Sequence, residues 1–310
     1  MHHVPVMLNE ALEHLNIRPG LTYVDATAGA GGHLREIIKT NPHGINLAID
    51  RDLNSLNKLE QSLKGQSKLL HGNYADIKTL LQDIGHSSIS GGVLADLGVS
   101  SMQLDEADRG FSFLHDGPLD MRMDPSQKLS ALDFINNYPE DELADIIYKY
   151  GEERQSRRIA KRIVENRPLN TTLELSNIVV RALAKPNFHK GRGNKDQSHP
   201  ATRTFQALRI AVNNELNSLE KFLNDAVELL EPGARIVIIT FHSLEDRLVK
   251  QTFKHLASTC ICPPGLPICT CNHKKTLDIL SRKPLTADNK EVLANPRSRS
   301  AKLRVGEKMS

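Results

Sequence analysis

Short apolar runs alternate with amphipathic stretches through the first hundred residues, a pattern that few folds accommodate. Residues 23–26 predict a strand, and residues 33–39 a helix behind it. Residues 45–50 predict a second strand, followed by Leu53, Leu56, Leu59 and Leu63 at helical spacing. A third strand over 68–71 precedes Ile77, Leu80 and Leu81 on one helical face, and 92–97 reads as a fourth. Parallel strands need long crossovers, so strands separated by helices imply a parallel sheet covered on both faces. The alternation then stops. From 130 to 183 only helical periodicity remains, and a stripe of Phe205, Leu208, Val212, Leu216, Leu219, Leu223 and Leu230 predicts one long helix after it. A fifth strand follows at 235–241. The expectation is an α/β domain built from 1–105 and 200–310, interrupted by an all-helical domain at 106–199.

Bulk composition restricts the class of protein more than its function. With 310 residues, 39% hydrophobic and 25% charged, the chain can bury a sizeable core and is not a disordered polymer. The 40 basic and 37 acidic residues leave a net charge of +3, so a nucleic-acid partner would be held by local patches and not by a global field. The first residues lack a signal-peptide layout, and no apolar run is long enough to cross a bilayer, which points to a cytoplasmic protein.

The strongest site signal is Val24-Asp25-Ala26-Thr27-Ala28-Gly29-Ala30-Gly31-Gly32-His33, a strand running into glycines and then a helix. Glycine lets the backbone turn sharply and lets a ligand approach without meeting a Cβ. Asp50 ends the second strand, where a carboxylate can accept hydrogen bonds from the hydroxyls of a ribose. A nicotinamide-binding turn wants a third glycine where Leu34 stands, and the Gly-Lys-Ser/Thr of a phosphate-binding loop is absent. S-adenosylmethionine carries no phosphate, so the departure from both patterns points towards that donor.

Several ordered blocks sharpen this reading. They include Asp96-Leu97-Gly98-Val99-Ser100-Ser101-Met102-Gln103-Leu104-Asp105, Arg109-Gly110-Phe111-Ser112-Phe113 and Leu119-Asp120-Met121-Arg122-Met123-Asp124. Further along stand His199-Pro200-Ala201-Thr202-Arg203-Thr204-Phe205, Phe241-His242-Ser243-Leu244-Glu245-Asp246-Arg247 and Asn295-Pro296-Arg297-Ser298-Arg299. Together with the glycine turn they resemble, over the whole length, the ribosomal RNA small-subunit methyltransferase H (MraW) family. The resemblance implies a class I, Rossmann-like S-adenosylmethionine-dependent methyltransferase fold with a helical insertion. It further implies N4-methylation of a cytosine in the decoding region of 16S rRNA. It assigns Gly31, Gly32 and His33 to the methyl donor, Asp50 to its ribose, Tyr74 to the adenine, and Asp96 and Gln103 to the methionine end.

The exocyclic amine of cytosine is a weak nucleophile, so catalysis rests on alignment and on an acceptor for the amine hydrogen. The proline-rich block that many amino-methyltransferases carry after the fourth strand is replaced here by Asp96-Leu97-Gly98-Val99. Asp96 is the candidate acceptor, with His199, His242 and Glu245 behind it. Cytosine-C5 methylation needs a thiolate, and Cys262-Pro263-Pro264 lies beyond the fifth strand, away from where that chemistry would place it. The remaining alternatives are a nicotinamide-dependent oxidoreductase, against which Leu34 speaks, and an RNA-binding module that merely retains a nucleoside pocket.

Two further features complete the reading. Cys260, Cys262, Cys269 and Cys271 form two C-x-C pairs, whereas zinc sites usually use C-x-x-C, so the spacing favours a reduced loop without metal. Lys185, Lys190, Arg192, Lys195, Arg203 and Arg209, with a second run from Arg297 to Arg304, are candidate phosphate contacts. Arg154, Arg157, Arg158, Lys161 and Arg162 read as a solvated helix face. An unpaired or flipped cytosine within the assembled small subunit is the expected substrate.

Overall fold

The computed structural model describes residues 5–184, 199–263 and 269–310. The chain forms two compact units: one from residues 1–98 and 216–310, the other from Val99–Glu215.

The first unit begins with α1 (Leu8–Leu15), β1 (Thr22–Asp25), α2 (Gly32–Thr40), β2 (Ile45–Asp50) and α3 (Leu53–Leu63). It continues with β3 (Lys68–His71), α4 (Ile77–Gln82) and β4 (Gly92–Asp96). The second unit holds α5 (Ser101–Asp105), α6 (Ala131–Asn137), α7 (Glu140–Gly151), α8 (Ser156–Glu165), α9 (Thr172–Leu183) and α10 (Thr202–Asn213). The chain then completes the first unit through α11 (Glu215–Leu229), β5 (Arg235–Thr240), α12 (Ser243–Leu256), β6 (Leu277–Ile279), α13 (Asn289–Ala294) and β7 (Lys302–Lys308).

The seven strands make one sheet in the order β3-β2-β1-β4-β5-β7-β6. The first five are parallel, and β7 runs antiparallel between β5 and β6. This is the α/β arrangement expected of a class I methyltransferase. Alternation along the strands explains why both faces are covered. Val24, Val93, Ala95, Ile236 and Ile238 join one core with Phe222 and Leu223 of α11 and Phe253 of α12. Their neighbours Tyr23, Leu94, Val237 and Ile239 point the other way, into a core with Ala11 and Leu15 of α1 and Ile37 of α2. Side chains two apart share a face, so a strand apolar at every position is a strand buried on both sides.

The structure corrects three expectations. The long stripe from Phe205 to Leu230 is two helices, because Asn214 adopts a left-handed conformation (φ 49°, ψ 40°) that asparagine tolerates better than most residues. Its first half, Phe205, Leu208 and Val212, packs in the core of the helical unit with Leu143, Ile147 and Ile159, while Leu219 and Leu223 serve the sheet. The division of the chain therefore falls at 98/99 and 215/216, wider than the expected 106–199. Finally, the basic run ending at Arg304 is no free tail. Lys302 and Arg304 lie in β7, Arg304 is 6% exposed, and its Nε is 2.7 Å from Asp246 Oδ1.

Candidate active site

The strand order reverses at β1, which has β2 on one side and β4 on the other. In an open parallel sheet the crevice beyond the C-terminal strand ends at such a point is where ligands bind. The residues that close β1, β2 and β4 are all carboxylates: Asp25, Asp50 and Asp96.

The glycine turn links them. After Asp25 the chain turns through Gly29 and Gly31, with φ of 49° and 77°, before α2 opens at Gly32. A Cβ on Gly31 would stand 2.3 Å from Leu59 Cδ1, and one on Gly32 would stand 2.3 Å from Pro5 Cγ. The glycines are thus demanded by the protein's own packing. The Gly29 N–H donates to Asp50 Oδ2 at 2.6 Å, and the Asp52 N–H donates to Asp50 Oδ1 at 2.8 Å. Asp50 therefore fixes the turn, with lone pairs left on each oxygen. On the other side, the Asp96 N–H donates to Thr27 Oγ1 at 2.7 Å.

Electrostatically the cleft is poised for a cation. Burial lifts the Asp96 carboxyl well above the usual carboxylate range, and the charges of Asp25 and Glu245 lift it further. Asp25 is pushed up to about 7, by burial first, against the hydrogen bond from the Thr27 N–H, with the charge of Asp50 adding to the rise. Asp50 is raised as well, by burial first, opposed by the N–H groups of Asp52 and Gly29. Asp96 Oδ1 is buried and has no hydrogen-bond partner among the described residues. Its Oδ2 lies 3.8 Å from Nδ1 of His33, whose Nε2 is 3.1 Å from the Val6 carbonyl. An orphaned carboxylate oxygen among other carboxylates is the complement of a positively charged group. A sulfonium with an α-amino group fits it; a dinucleotide pyrophosphate does not.

Tyr74 follows β3 in a short 3-10 turn, half-buried. Its ring meets Phe222 edge-on with centroids 5.1 Å apart, and the Arg51 guanidinium sits 5.6 Å from its centroid.

The model of the MraW methylase family matches residues 1–309. This chain belongs to that family. A relative from Clostridioides difficile named ribosomal RNA small subunit methyltransferase H is 51% identical, over 99% of each chain. One of the same name from Halothermothrix orenii is 47% identical over 100% of this chain and 99% of its own. Among solved structures, a putative rRNA-methylase from Clostridium thermocellum covers 99% of this chain and 100% of its own at 12% identity and TM-score 0.45, too distant to carry an argument.

The other residues singled out from this MraW-family sequence have structural employment. Gln103, in α5 of the helical unit, accepts the Ser100 N–H at 3.0 Å and completes a capping box. His199 stacks on Phe113 with centroids 4.6 Å apart, and its Nδ1 accepts the Ala201 N–H. His242 caps α12: its Nδ1 accepts the Glu245 N–H, while Glu245 Oε2 accepts the Phe241 and His242 N–H groups. Burial and reciprocal capping make His242 and Glu245 a scaffold for the end of β5.

The proposed phosphate contacts divide. Arg209 is held bidentately by Glu215 at 2.8 and 2.9 Å, and Arg304 is paired through its Nε with Asp246 at 2.7 Å, so the charge of each is already met within the protein. Arg203 is more than half exposed, 3.7 Å from Glu153. Lys185, Lys190, Arg192 and Lys195 lie outside the described residues. Sequence reasoning passed over Asp25, Thr27 and the Val6 carbonyl. Asp25 stood in view as the last residue of the first strand, directly before the turn.

Proposed function

We propose that this chain is an S-adenosylmethionine-dependent methyltransferase of small-subunit ribosomal RNA that modifies the exocyclic N4 of a cytosine. Membership of the MraW methylase family and the names of the close relatives support methylation of that RNA. The observation that carries the donor assignment is the buried Oδ1 of Asp96, which has no hydrogen-bond partner among the described residues and feels the charges of Asp25 and Glu245.

S-adenosylmethionine supplies an electrophilic methyl group on a cationic sulfur. Gly31, Gly32 and His33 would hold it at the opening turn of α2. Asp50 would receive the ribose hydroxyls, Tyr74 would hold the adenine, and Asp96 and Gln103 would hold the methionine end. Asp96 also takes the hydrogen released as the cytosine amine acquires its methyl group, since a carboxyl raised by burial is the stronger base. C5 chemistry needs a thiolate beside the methyl donor, and all four cysteines fall beyond the fifth strand, between α12 and β6.

The helical unit engages the RNA. Arg154, Arg157, Arg158 and Lys161 are exposed on α8 and the turn before it, while Ile159, Ala160 and Ile163 bury the opposite face. Read from the sequence as a solvated face, this exposed row also suits phosphates contacted without reading sequence, and the substrate is an unpaired cytosine of the decoding region in the assembled subunit. No helix of the described residues is long and apolar enough to cross a membrane, which suits a cytoplasmic enzyme.

Transfer of labelled methyl to naked 16S rRNA and to assembled small subunits, followed by mass mapping of nucleosides, tests this reading. The expected result is N4-methylcytosine at one position, formed faster on subunits. Label on cytosine C5, or no transfer, would overturn the activity. Equal rates on the two substrates would remove the preference for the assembled particle.

A further inference from the structure

The four cysteines all fall in the segment between α12 and β6. Their spacing favours a metal-free loop, but their geometry does not. Cys260 and Cys269 sulfurs are 3.5 Å apart, as are those of Cys269 and Cys271. Cys262–Cys269 and Cys260–Cys271 are each 3.9 Å apart. All four sulfurs lie within 4.8 Å of one another. Zn–S bonds of about 2.3 Å in a regular tetrahedron place sulfurs about 3.8 Å apart, and an S–S bond would need about 2.05 Å.

Apolar packing does not account for this convergence. Cys260 and Cys269 are exposed, Cys262 and Cys271 only half-buried, and Ile261 between them is 46% exposed. Among the described residues, none between Ala257 and Thr276 belongs to a buried hydrophobic cluster. Backbone groups instead aim at the sulfurs. The Ile261 N–H donates to Cys271 Sγ, the Cys262 N–H to Cys260 Sγ and the Thr270 N–H to Cys262 Sγ, each at 3.4 Å. Hydrogen bonds from amides to sulfur are the outer support that a thiolate cluster around a metal requires.

We infer that Cys260, Cys262, Cys269 and Cys271 form a structural zinc site that pins the segment between α12 and β6. Each thiol gives its proton to solvent on binding, and the resulting thiolates close the tetrahedron with no open position. The ion takes no part in methyl transfer. Its work is to tie the Cys260–Cys262 pair to the Cys269–Cys271 pair, just before the chain enters the sheet at β6.

The test is metal analysis of the full-length protein purified under reducing conditions without chelator. One zinc per chain is expected, released in proportion as a mercurial titrates the thiols. Cobalt in its place should show the intense visible bands of a tetrahedral thiolate complex. The double variant Cys269→Ser/Cys271→Ser should lose the zinc while keeping its circular dichroism and its binding of S-adenosylhomocysteine. Those two readouts separate loss of the site from loss of the fold. Four freely reactive thiols in protein supplied with zinc, two disulfides by mass, iron in place of zinc, or zinc retained by the double variant would each overturn the assignment.

Discussion

His33 stands between the Val6 carbonyl, 3.1 Å from its Nε2, and Asp96, whose Oδ2 is 3.8 Å from its Nδ1. A carbonyl oxygen can only accept, so Nε2 carries the hydrogen in that contact, and the ring is anchored beside the carboxyl. Asp96→Asn keeps the shape and the backbone bond to Thr27 but removes the charge. Methyl transfer should fall by about 100-fold or more, in the range seen when one electrostatic stabiliser is lost. The ligand-free variant should melt no lower than wild type, because repulsion from Asp25 and Glu245 is relieved. Single-turnover rates and thermal melts check this; an unchanged rate would exclude Asp96 from the chemistry.

Asp25 makes stability depend on pH. Its carboxyl is raised from 3.8 to about 7, so it holds its proton more tightly folded than unfolded. Between those two values the folded state binds more protons, and its contribution to stability falls as pH rises. Asp25→Asn should therefore gain on wild type as pH climbs through that window. Urea midpoints measured across it report the difference, and a gap that narrows with pH would contradict the assignment.

Asp50 joins the turn to the ligand. Asp50→Ala removes the acceptor for the Gly29 and Asp52 N–H groups along with the proposed ribose contact. A charge-assisted hydrogen bond is worth about 1.5–3 kcal/mol, so losing one such contact to the ribose should lower donor affinity about tenfold to a hundredfold. Calorimetry with S-adenosylhomocysteine reads the loss; unaltered affinity would place the ribose elsewhere.

Gly32→Ala should act through packing. The added methyl would sit 2.3 Å from Pro5 Cγ, forcing apart the first turn of α2 and the segment that carries Val6. Overpacking of this kind costs about 1–3 kcal/mol. Denaturant unfolding should show it, and donor binding should weaken with it because His33 loses its anchor.

Arg304→Ala distinguishes a structural cation from an RNA contact. Its guanidinium is buried against Asp246, which Lys302 also reaches at 3.0 Å. Removing it should destabilise the fold by about 2 kcal/mol, the scale of a charge-assisted hydrogen bond. The salt dependence of RNA binding should be unchanged; a slope reduced by about one would restore the residue to the phosphate contacts.

Much of the site's location was legible because it follows from local pattern. Runs such as Ile236 to Ile239 can only be doubly buried strand, and a glycine turn between strand and helix marks the ligand edge of a parallel sheet. What escaped depends on contacts remote in sequence. β7 mixes Lys302, Arg304, Glu307 and Lys308 with Leu303 and Val305, and its charge concealed a central strand whose cations are satisfied by Asp246 and by the sheet's rim. β6 has three residues, too few for a period to show. Asn214 interrupts a continuous apolar stripe by a change of backbone alone. The pairing of His33 with Asp96 and the meeting of the C-x-C pairs exist only once the chain is folded.

β4 and β5 are hydrogen-bonded neighbours although residues 97–234 separate them in the chain. Loop-closure entropy grows slowly, by about 0.6 kcal/mol per doubling of length, so the interruption taxes final stability little. Assembly speed is more sensitive, because distant pairings reward the chain only after it has come together. A helical unit that consolidates early shortens the effective tether between the two strands. Mutations that loosen its interior are then expected to slow maturation of the whole molecule while leaving every residue of the cleft intact.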